Sequence, residues 1–298
     1  MKLVSALEQW TWLQPLIERV RRVWRWSFAL RCAWNEYFMI RGRADRVCAS
    51  PDFERIPRVP NAGRVRGGVQ IMHNGLKVLK GSYYGRGSIS LFRRTRGVHE
   101  PQEEIAFGAV LPYLPSGATM VELGSYWAFY SIWFARAVPN AHCHLVEPEP
   151  ANLELGRRNF ELNGLMPQSS TRAFVGATAG SMGESTPVVT LEQLVRDLGI
   201  GHVHLLHADI QASELDMLEG ARGLIAADRI DFIFISTHGG TLHDACREFL
   251  HDQQFDVLLD VSPTQSYSID GVLVAQRRGV RGPGPISVAL RQSQSDAR

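Results

Sequence analysis

The sequence predicts an α/β fold built on a mostly parallel sheet, and three observations carry that prediction. From Ala118 onward, short apolar runs alternate with segments of helical periodicity. The runs are apolar almost throughout, as strands covered on both faces require. Glycines and acids recur just past the ends of these runs, where open α/β sheets bind their ligands.

The first 48 residues hold five of the seven tryptophans. Leu13, Leu16, Ile17, Val20, Val23, Trp24 and Phe28 recur at three- and four-residue spacing, with Glu18, Arg19, Arg21, Arg22 and Arg25 between them, which predicts an amphipathic helix. Docking on the main domain or a homo-oligomer seam is the first reading of this helix, and peripheral contact with a membrane surface the second. Proline and glycine punctuate Pro51–Gly68, a connection, and 69–85 reads as two short strands around His73-Asn74-Gly75. A helix is expected over 101–111. Strands follow at 119–124, 142–148, 171–177, 202–209 and 231–237, with helices at 128–138, 151–164, 190–199, 214–224 and 241–253. The runs 256–261 and 271–278 suit an antiparallel ending, completing seven strands. The domain plan is therefore an N-terminal helical and β-hairpin extension over 1–99, a main domain over 100–280, and a tail over 281–298 that is loose at its end.

Composition is that of an ordinary globular chain, 45% hydrophobic and 21% charged over 298 residues. No apolar run reaches the roughly 18 residues of a membrane span, and no secretory signal is evident. The four cysteines are scattered without a CxxC pair, which suits a reducing compartment; the cytoplasm is the expected location. Charge is distributed unevenly. Residues 1–99 carry 19 Lys/Arg against 6 Asp/Glu, and Arg55–His99 contains ten basic residues and no acid. Such a stretch either packs against the acidic C-terminal part or faces something anionic.

The chemistry begins at Glu122 and Gly124, where the first main strand ends. A glycine there lets the chain turn and a ligand approach the backbone. Twenty-three residues on, Glu147 ends the second strand, placed to accept hydrogen bonds from the hydroxyls of a ribose. Together these indicate an adenosine-containing cofactor. The turn reads Gly124-Ser125-Tyr126-Trp127-Ala128, with bulk where a dinucleotide site needs glycine against its pyrophosphate. S-adenosylmethionine, which has no phosphate, suits it better than NAD.

The segments VELGSYWAFYS (121–131), LVEPEPANLELGRRNFELNG (145–164), TLEQL (190–194), LLHADIQASELDMLEGA (205–221) and GVLVAQR (271–277) resemble, in order and spacing, the FkbM family of S-adenosylmethionine-dependent methyltransferases. The resemblance implies a Rossmann-like class I methyltransferase fold and methylation of hydroxyls on sugars or other metabolites. It implies that Glu122, Gly124, Tyr126 and Ser131 line the methionine and ribose part of the site. Glu147 would hold the ribose, flanked by Pro148 and Asn152, with Val175 and Gly176 near the adenine. The sequence departs from the family in two places. Ser125, Tyr126 and Ala128 stand in a loop usually closer to G-A-N-x-G. In the motif K-x-D-x-E-G-x-E, Asp209 and Glu214 remain, while His207, Gln211 and Ala212 replace lysine, glutamate and glycine.

An alcohol is a poor nucleophile while protonated, so a base is needed beside it. His238, following the fifth main strand, is the first candidate. Asp209 would orient it or contact the cofactor, and strand alternation puts His207 on the same face as Asp209. Glu100, Gln102, Glu103 and Glu104 stand at a helix start, either solvated or closing over the cofactor. His202 and His204 open the fourth strand at the far end, so no metal is expected. The expected partner is a small-molecule acceptor. Nucleic acid is not expected, because the basic stretch carries no recognition module. The competing reading is a non-catalytic methyltransferase-like scaffold that binds an anionic partner through its basic N-terminal region.

Overall fold

The computed structural model describes residues 40–182 and 186–292. The Trp-rich amphipathic helix expected before residue 40 lies outside the described residues, as does the end of the tail. Helical residues 40–48 (α1) lead to a short 3-10 turn at Pro51–Arg55. A small antiparallel sheet follows, β1 (Val65–Arg66), β2 (Val69–Ile71) and β3 (Lys77–Leu79), then helices α2 (Gly87–Thr95) and α3 (Pro101–Val110).

The main sheet contains β4 (Thr119–Leu123), β5 (His142–Val146), β6 (Ser169–Thr171), β10 (Val203–Ala208), β11 (Ile230–Thr237), β12 (Phe255–Val261) and β13 (Gly271–Arg277). Its order is β12-β13-β11-β10-β4-β5-β6, with β13 antiparallel to both neighbours and the other pairs parallel. The fold is thus Rossmann-like, of the class I methyltransferase type, with seven strands. Helices α4 (Phe129–Ala137) and α5 (Pro150–Leu162) follow β4 and β5; α6 (Leu191–Asp197), α7 (Glu214–Glu219), α8 (Arg222–Ala226) and α9 (Gly240–Asp252) connect the rest. One face of the sheet buries Val121, Leu206, Ile233 and Ile235 against Leu194, Met217, Leu218 and Leu250. The other face meets α3 and α4 through Phe107, Tyr130, His207 and Phe234.

The structure corrects three expectations. The third strand is split: β6 pairs with β5 for three residues, then the chain leaves the sheet. There Arg172 is held by Pro148 O and Thr186 Oγ1, and β7 (Phe174–Val175) joins β9 (Thr186–Val189) and β8 (Gly180–Met182) in a second small sheet. The helix expected over 214–224 divides at Gly220, where an added Cβ would stand 2.4 Å from Gly176 O; this close packing fixes the break. From Arg43 onward the chain is one compact unit, so no boundary falls near residue 100. Asn159 and Asn163 on α5 accept the backbone N–H groups of Leu79 and Lys77, binding the hairpin to the sheet domain. The described part of the tail is fastened to the domain, while the end expected to be loose lies outside the described residues. Gln102 donates to Ala289 O, and Ala289 N donates to Asp52.

Bulk in the loop after β4 has a structural cause. Trp127 stacks on Phe129 at 5.2 Å and on Phe92 at 5.6 Å, and meets Tyr83, so it anchors the N-terminal segment to the sheet. Ala128 has φ +61°, and its methyl packs where Gly156 on α5 leaves room: a Cβ on Gly156 would lie 3.2 Å from it.

Candidate active site

A cavity of about 130 Å³ opens where β4, β5 and β10 end, lined by Gly124, Glu147, Pro148, Phe174, Val175 and Asp209 among others. Gly124 turns the chain out of β4 at φ +72°, and its N–H donates to Val146 O. A side chain there has no space: its Cβ would lie 1.8 Å from Asp209 O. The loop then wraps the Glu147 carboxylate. Tyr126 N–H donates to Oε2 at 3.1 Å, while Glu149 N–H and Asn152 Nδ2 donate to Oε1 at 3.0 and 3.4 Å. A carboxylate offers about four lone-pair positions, so one remains for a hydroxyl in the cavity.

Pro148 and Val175 therefore line the cavity, while Asn152 and Tyr126 act through Glu147. The Tyr126 hydroxyl oxygen accepts Tyr84 N–H at 2.7 Å, which ties the loop to the N-terminal segment. Three residues expected in the site lie elsewhere. Ser131 is fully buried in α4, and its N–H donates to Glu122 Oε2 at 3.2 Å. Glu122 is sealed beneath α4, where burial pushes its carboxyl up to about 7 against the opposing pull of His207. Gly176 N–H donates to Val189 O, and its carbonyl faces Gly220.

His207 also lies outside the cavity. The alternation along β10 holds, but α3 covers that face as far as His207, and only Asp209 emerges beyond it. Glu103 of α3 reaches His207 Nε2 at 2.7 Å and accepts from Ser236 Oγ at 3.0 Å. Burial works against a charge on His207, but Glu103 outweighs it and raises its pKa. Glu103 and Glu104 are thus buried, not a solvated helix start.

Asp209 and His238 meet at the ends of β10 and β11. His238 Nε2 is 3.3 Å from Asp209 Oδ1 and 3.6 Å from Asp270 Oδ1, while Nδ1 is 2.7 Å from Glu214 Oε1. Burial lowers His238, but Glu214, Asp209 and Asp270 outweigh it and push it up to about 9. Asp209 moves up to about 7: burial raises it, nearby Glu100 and Asp270 add to the rise, and His238 opposes it. The Gln211 amide also faces His238 Nε2, at 2.9 Å, and presents its oxygen there when the ring is protonated. Sequence reasoning gave Glu214 no role, although it is the surviving last acid of the β10 motif. It passed over Asp270, which lies 32 residues beyond His238 in an irregular turn without a pattern.

Gln211 and Ala212 both have positive φ, +53° and +75°, and Ala212 is exposed. Left-handed backbone costs a residue with a Cβ about 1–2 kcal/mol, partly offset by the greater freedom of glycine when unfolded. Ala212→Gly is therefore expected to stabilise the protein by about 0.5–1 kcal/mol and raise Tm by about 1–4 °C in a thermal melt. An unchanged or lower Tm would count against strain at this position.

Among the described residues, His202, His204 and Asp231 have donor atoms close enough to share a metal ion. They stand at the opposite end of the sheet, and Asp231 is already paired with Arg277 at 2.8 Å. No helix of the described residues is long and apolar enough to cross a membrane.

Residues 113–257, spanning β4 through most of the remaining sheet, match the family model described as Methyltransferase FkbM domain. The chain carries an FkbM methyltransferase domain. S-adenosylmethionine is the cofactor of the FkbM domain, and the free acceptor position on Glu147, the bare backbone of Gly124 and the apolar Phe174–Val175 wall fit its adenosine end. The cavity is smaller than the roughly 300–1,000 Å³ that encloses a drug-sized ligand, so it receives that end alone as it stands.

Among solved structures, the ribosomal protein L11 methylase of Lactobacillus delbrueckii subsp. bulgaricus is similar at 13% identity, over 59% of this chain and 79% of that one, with a TM-score of 0.42. The precorrin-6y C5,15-methyltransferase of Geobacter metallireducens GS-15 is similar at 15% identity, over 59% and 88%, with a TM-score of 0.42. An rRNA methylase of Streptococcus thermophilus is similar at 12% identity, over 60% and 98%, with a TM-score of 0.44. Likenesses this distant say nothing of the acceptor. With an rRNA methylase among them, they lend no support to the expectation that nucleic acid is not a partner. No curated protein matches the chain in sequence.

Proposed function

We propose that this S-adenosylmethionine-dependent methyltransferase is an O-methyltransferase acting on a hydroxyl of a sugar or related metabolite, with Asp209 as general base. The observation that carries the proposal is the Asp209–His238 pair beside the cofactor cavity, backed by the buried Glu214. Bound in the cavity, the cofactor supplies an electrophilic methyl group. Asp209 takes the proton of the acceptor hydroxyl as its oxygen becomes nucleophilic. His238, held protonated by Glu214, stabilises the aspartate and orients it. This reverses the roles expected from the sequence, where His238 was the base. The cytoplasm remains the proposed location, and the N-terminal region is proposed to supply acceptor specificity or self-association.

Transfer from labelled S-adenosylmethionine to a panel of saccharides and other polyhydroxylated metabolites tests the proposal; transfer only to amines or RNA would overturn it. The base must be deprotonated, so kcat/KM is expected to rise as pH passes about 7, where Asp209 loses its proton. It falls again near 9, as His238 does the same. Both inflections belong to the coupled pair. A pH-rate profile flat between 6 and 10 would remove Asp209 from the role.

Glu147→Ala is expected to weaken S-adenosylhomocysteine binding by about 10- to 100-fold in isothermal titration, because a charge-assisted hydrogen bond and the shape of the Tyr126 loop are lost together. An affinity unchanged by the substitution would show that the cofactor's ribose lies elsewhere.

A further inference from the structure

The turn between β3 and α2 carries a tyrosine in a backbone conformation that tyrosines avoid. Gly81 and Gly85 close the turn at φ +82° and +76°, and a Cβ on Gly81 would stand 3.2 Å from Gly85 O. Glycine adopts such angles freely. Tyr84 beside them is also left-handed, at φ +48°. For a bulky residue this is an outlier, and outliers of that kind gather where ligands are held. The strain does not bury the ring: Tyr84 is 56% exposed, against 7% for its neighbour Tyr83. A lone exposed aromatic side chain calls for no explanation. One held out on strained backbone does.

Contacts with Tyr83 and Tyr126 fix the residue and tie it to the reacting end of the site. Tyr84 N–H donates to the Tyr126 hydroxyl at 2.7 Å. Its ring meets those of Tyr83 and Tyr126 edge to face, with centroids 4.6 and 5.6 Å away. Tyr126, itself at φ +43°, donates its own N–H to Glu147 of the cofactor cavity. The loop that bears Tyr126 leaves β4 at Gly124, which packs on Asp209 O. The Tyr84 phenol lies within electrostatic reach of Asp209: burial pushes its pKa up to about 12, and Asp209 adds to the rise. Tyr84 does not line the cofactor cavity. Its open ring therefore flanks the base from outside that cavity, where an acceptor must approach. An aromatic face there suits a molecule with a C–H surface on one side and hydroxyls around its rim. A pyranose ring has that form, and an acyclic polyol has no fixed face to offer.

We propose that Tyr84 determines acceptor specificity: its ring is the platform on which the C–H face of a cyclic saccharide lies while a rim hydroxyl meets Asp209. The inference rests on the O-methyltransferase reading above and commits the N-terminal region to acceptor recognition.

The full chain labelled with fluorotyrosine and saturated with S-adenosylhomocysteine tests this. The fluorine resonance of Tyr84 is assigned by its loss in Tyr84→Phe. A panel of methyl pyranosides is titrated in, and at least one is expected to shift that resonance saturably. Sorbitol, an acyclic polyol, is expected to bind at least about tenfold more weakly, because its face is not preorganised. In label transfer to the pyranoside that binds, Tyr84→Ala is expected to raise KM about tenfold with kcat nearly unchanged. S-adenosylhomocysteine affinity should stay within a few-fold, since the backbone bond to Tyr126 survives the substitution. A ring with a merely structural role would lower cofactor affinity instead and leave KM for the acceptor unmoved. No saturable shift with any pyranoside, an equal response to sorbitol, or loss of cofactor affinity in Tyr84→Ala would each overturn the platform. Failure of the underlying reading looks different: a saturable shift without label transfer to any saccharide would sink the O-methyl chemistry and leave the platform standing.

Discussion

Asp209→Asn is expected to lower kcat/KM for methyl transfer by about 10²- to 10⁴-fold, the usual worth of a positioned base. Asparagine keeps the shape of the side chain, so S-adenosylhomocysteine affinity should stay within a few-fold. What changes is proton chemistry. An amide cannot take a proton from an acceptor hydroxyl, and His238 loses one of its three carboxylate neighbours. The rising limb of the pH profile should disappear along with the activity. The loss should fall on kcat rather than KM, because a base acts in the transition state and not in holding the acceptor. Full activity in this variant would move the base to Asp270, which also faces His238. Loss of cofactor binding instead of turnover would recast Asp209 as a binding residue.

Gly124→Ala is expected to be strongly disruptive. The residue sits at φ +72°, where any side chain costs about 1–2 kcal/mol, and its Cβ would overlap Asp209 O at 1.8 Å. Relief requires the ends of β4 and β10 to part, an overpacking cost of about 1–3 kcal/mol more. The total, about 2–5 kcal/mol, is a large share of ordinary stability and is read from the denaturation midpoint. The same movement displaces Asp209 from His238 and opens the turn around Glu147, so cofactor affinity should fall even in molecules that remain folded. A variant of native stability would mean that the two strand ends have slack that the packing does not suggest.

Most of the sheet could be read from the sequence because fully buried parallel strands leave long apolar runs, and VELG and LVEP mark where two of them end. The exceptions are physical. β8 and β9 are short and set in or beside a Gly/Ser/Thr-rich stretch, β8 is exposed throughout and β9 is only partly buried, so no alternation betrays them. Helix α2 begins without a side-chain cap and ends on a left-handed arginine, so neither boundary is signalled. Gly124 and Glu147, which line the cavity, were legible because a tight turn and an acid at strand ends stand out in the sequence. Glu122, Ser131 and His207 were misplaced because periodicity gives the face of a strand or helix but not what covers it, and α3 comes from a segment whose packing no pattern disclosed. Asp270 and Glu100 approach His238 and Asp209 only through the fold, from irregular positions.

The bond between Ala289 and Asp52 spans 237 residues of chain, and with Gln102 it fastens the last described segment to the first turn of the compact unit. During synthesis, that turn therefore waits for its partner until residue 289 has been made. The sheet can assemble earlier around its own strands, but α3, whose Glu103 seals His207 and whose neighbour Glu100 faces Asp209, is clasped only once residue 289 has emerged. Order of assembly thus completes the cofactor-cavity end of the sheet after the sheet itself. A ribosome-released chain stopping near residue 280 would carry a formed sheet with an unfastened cap.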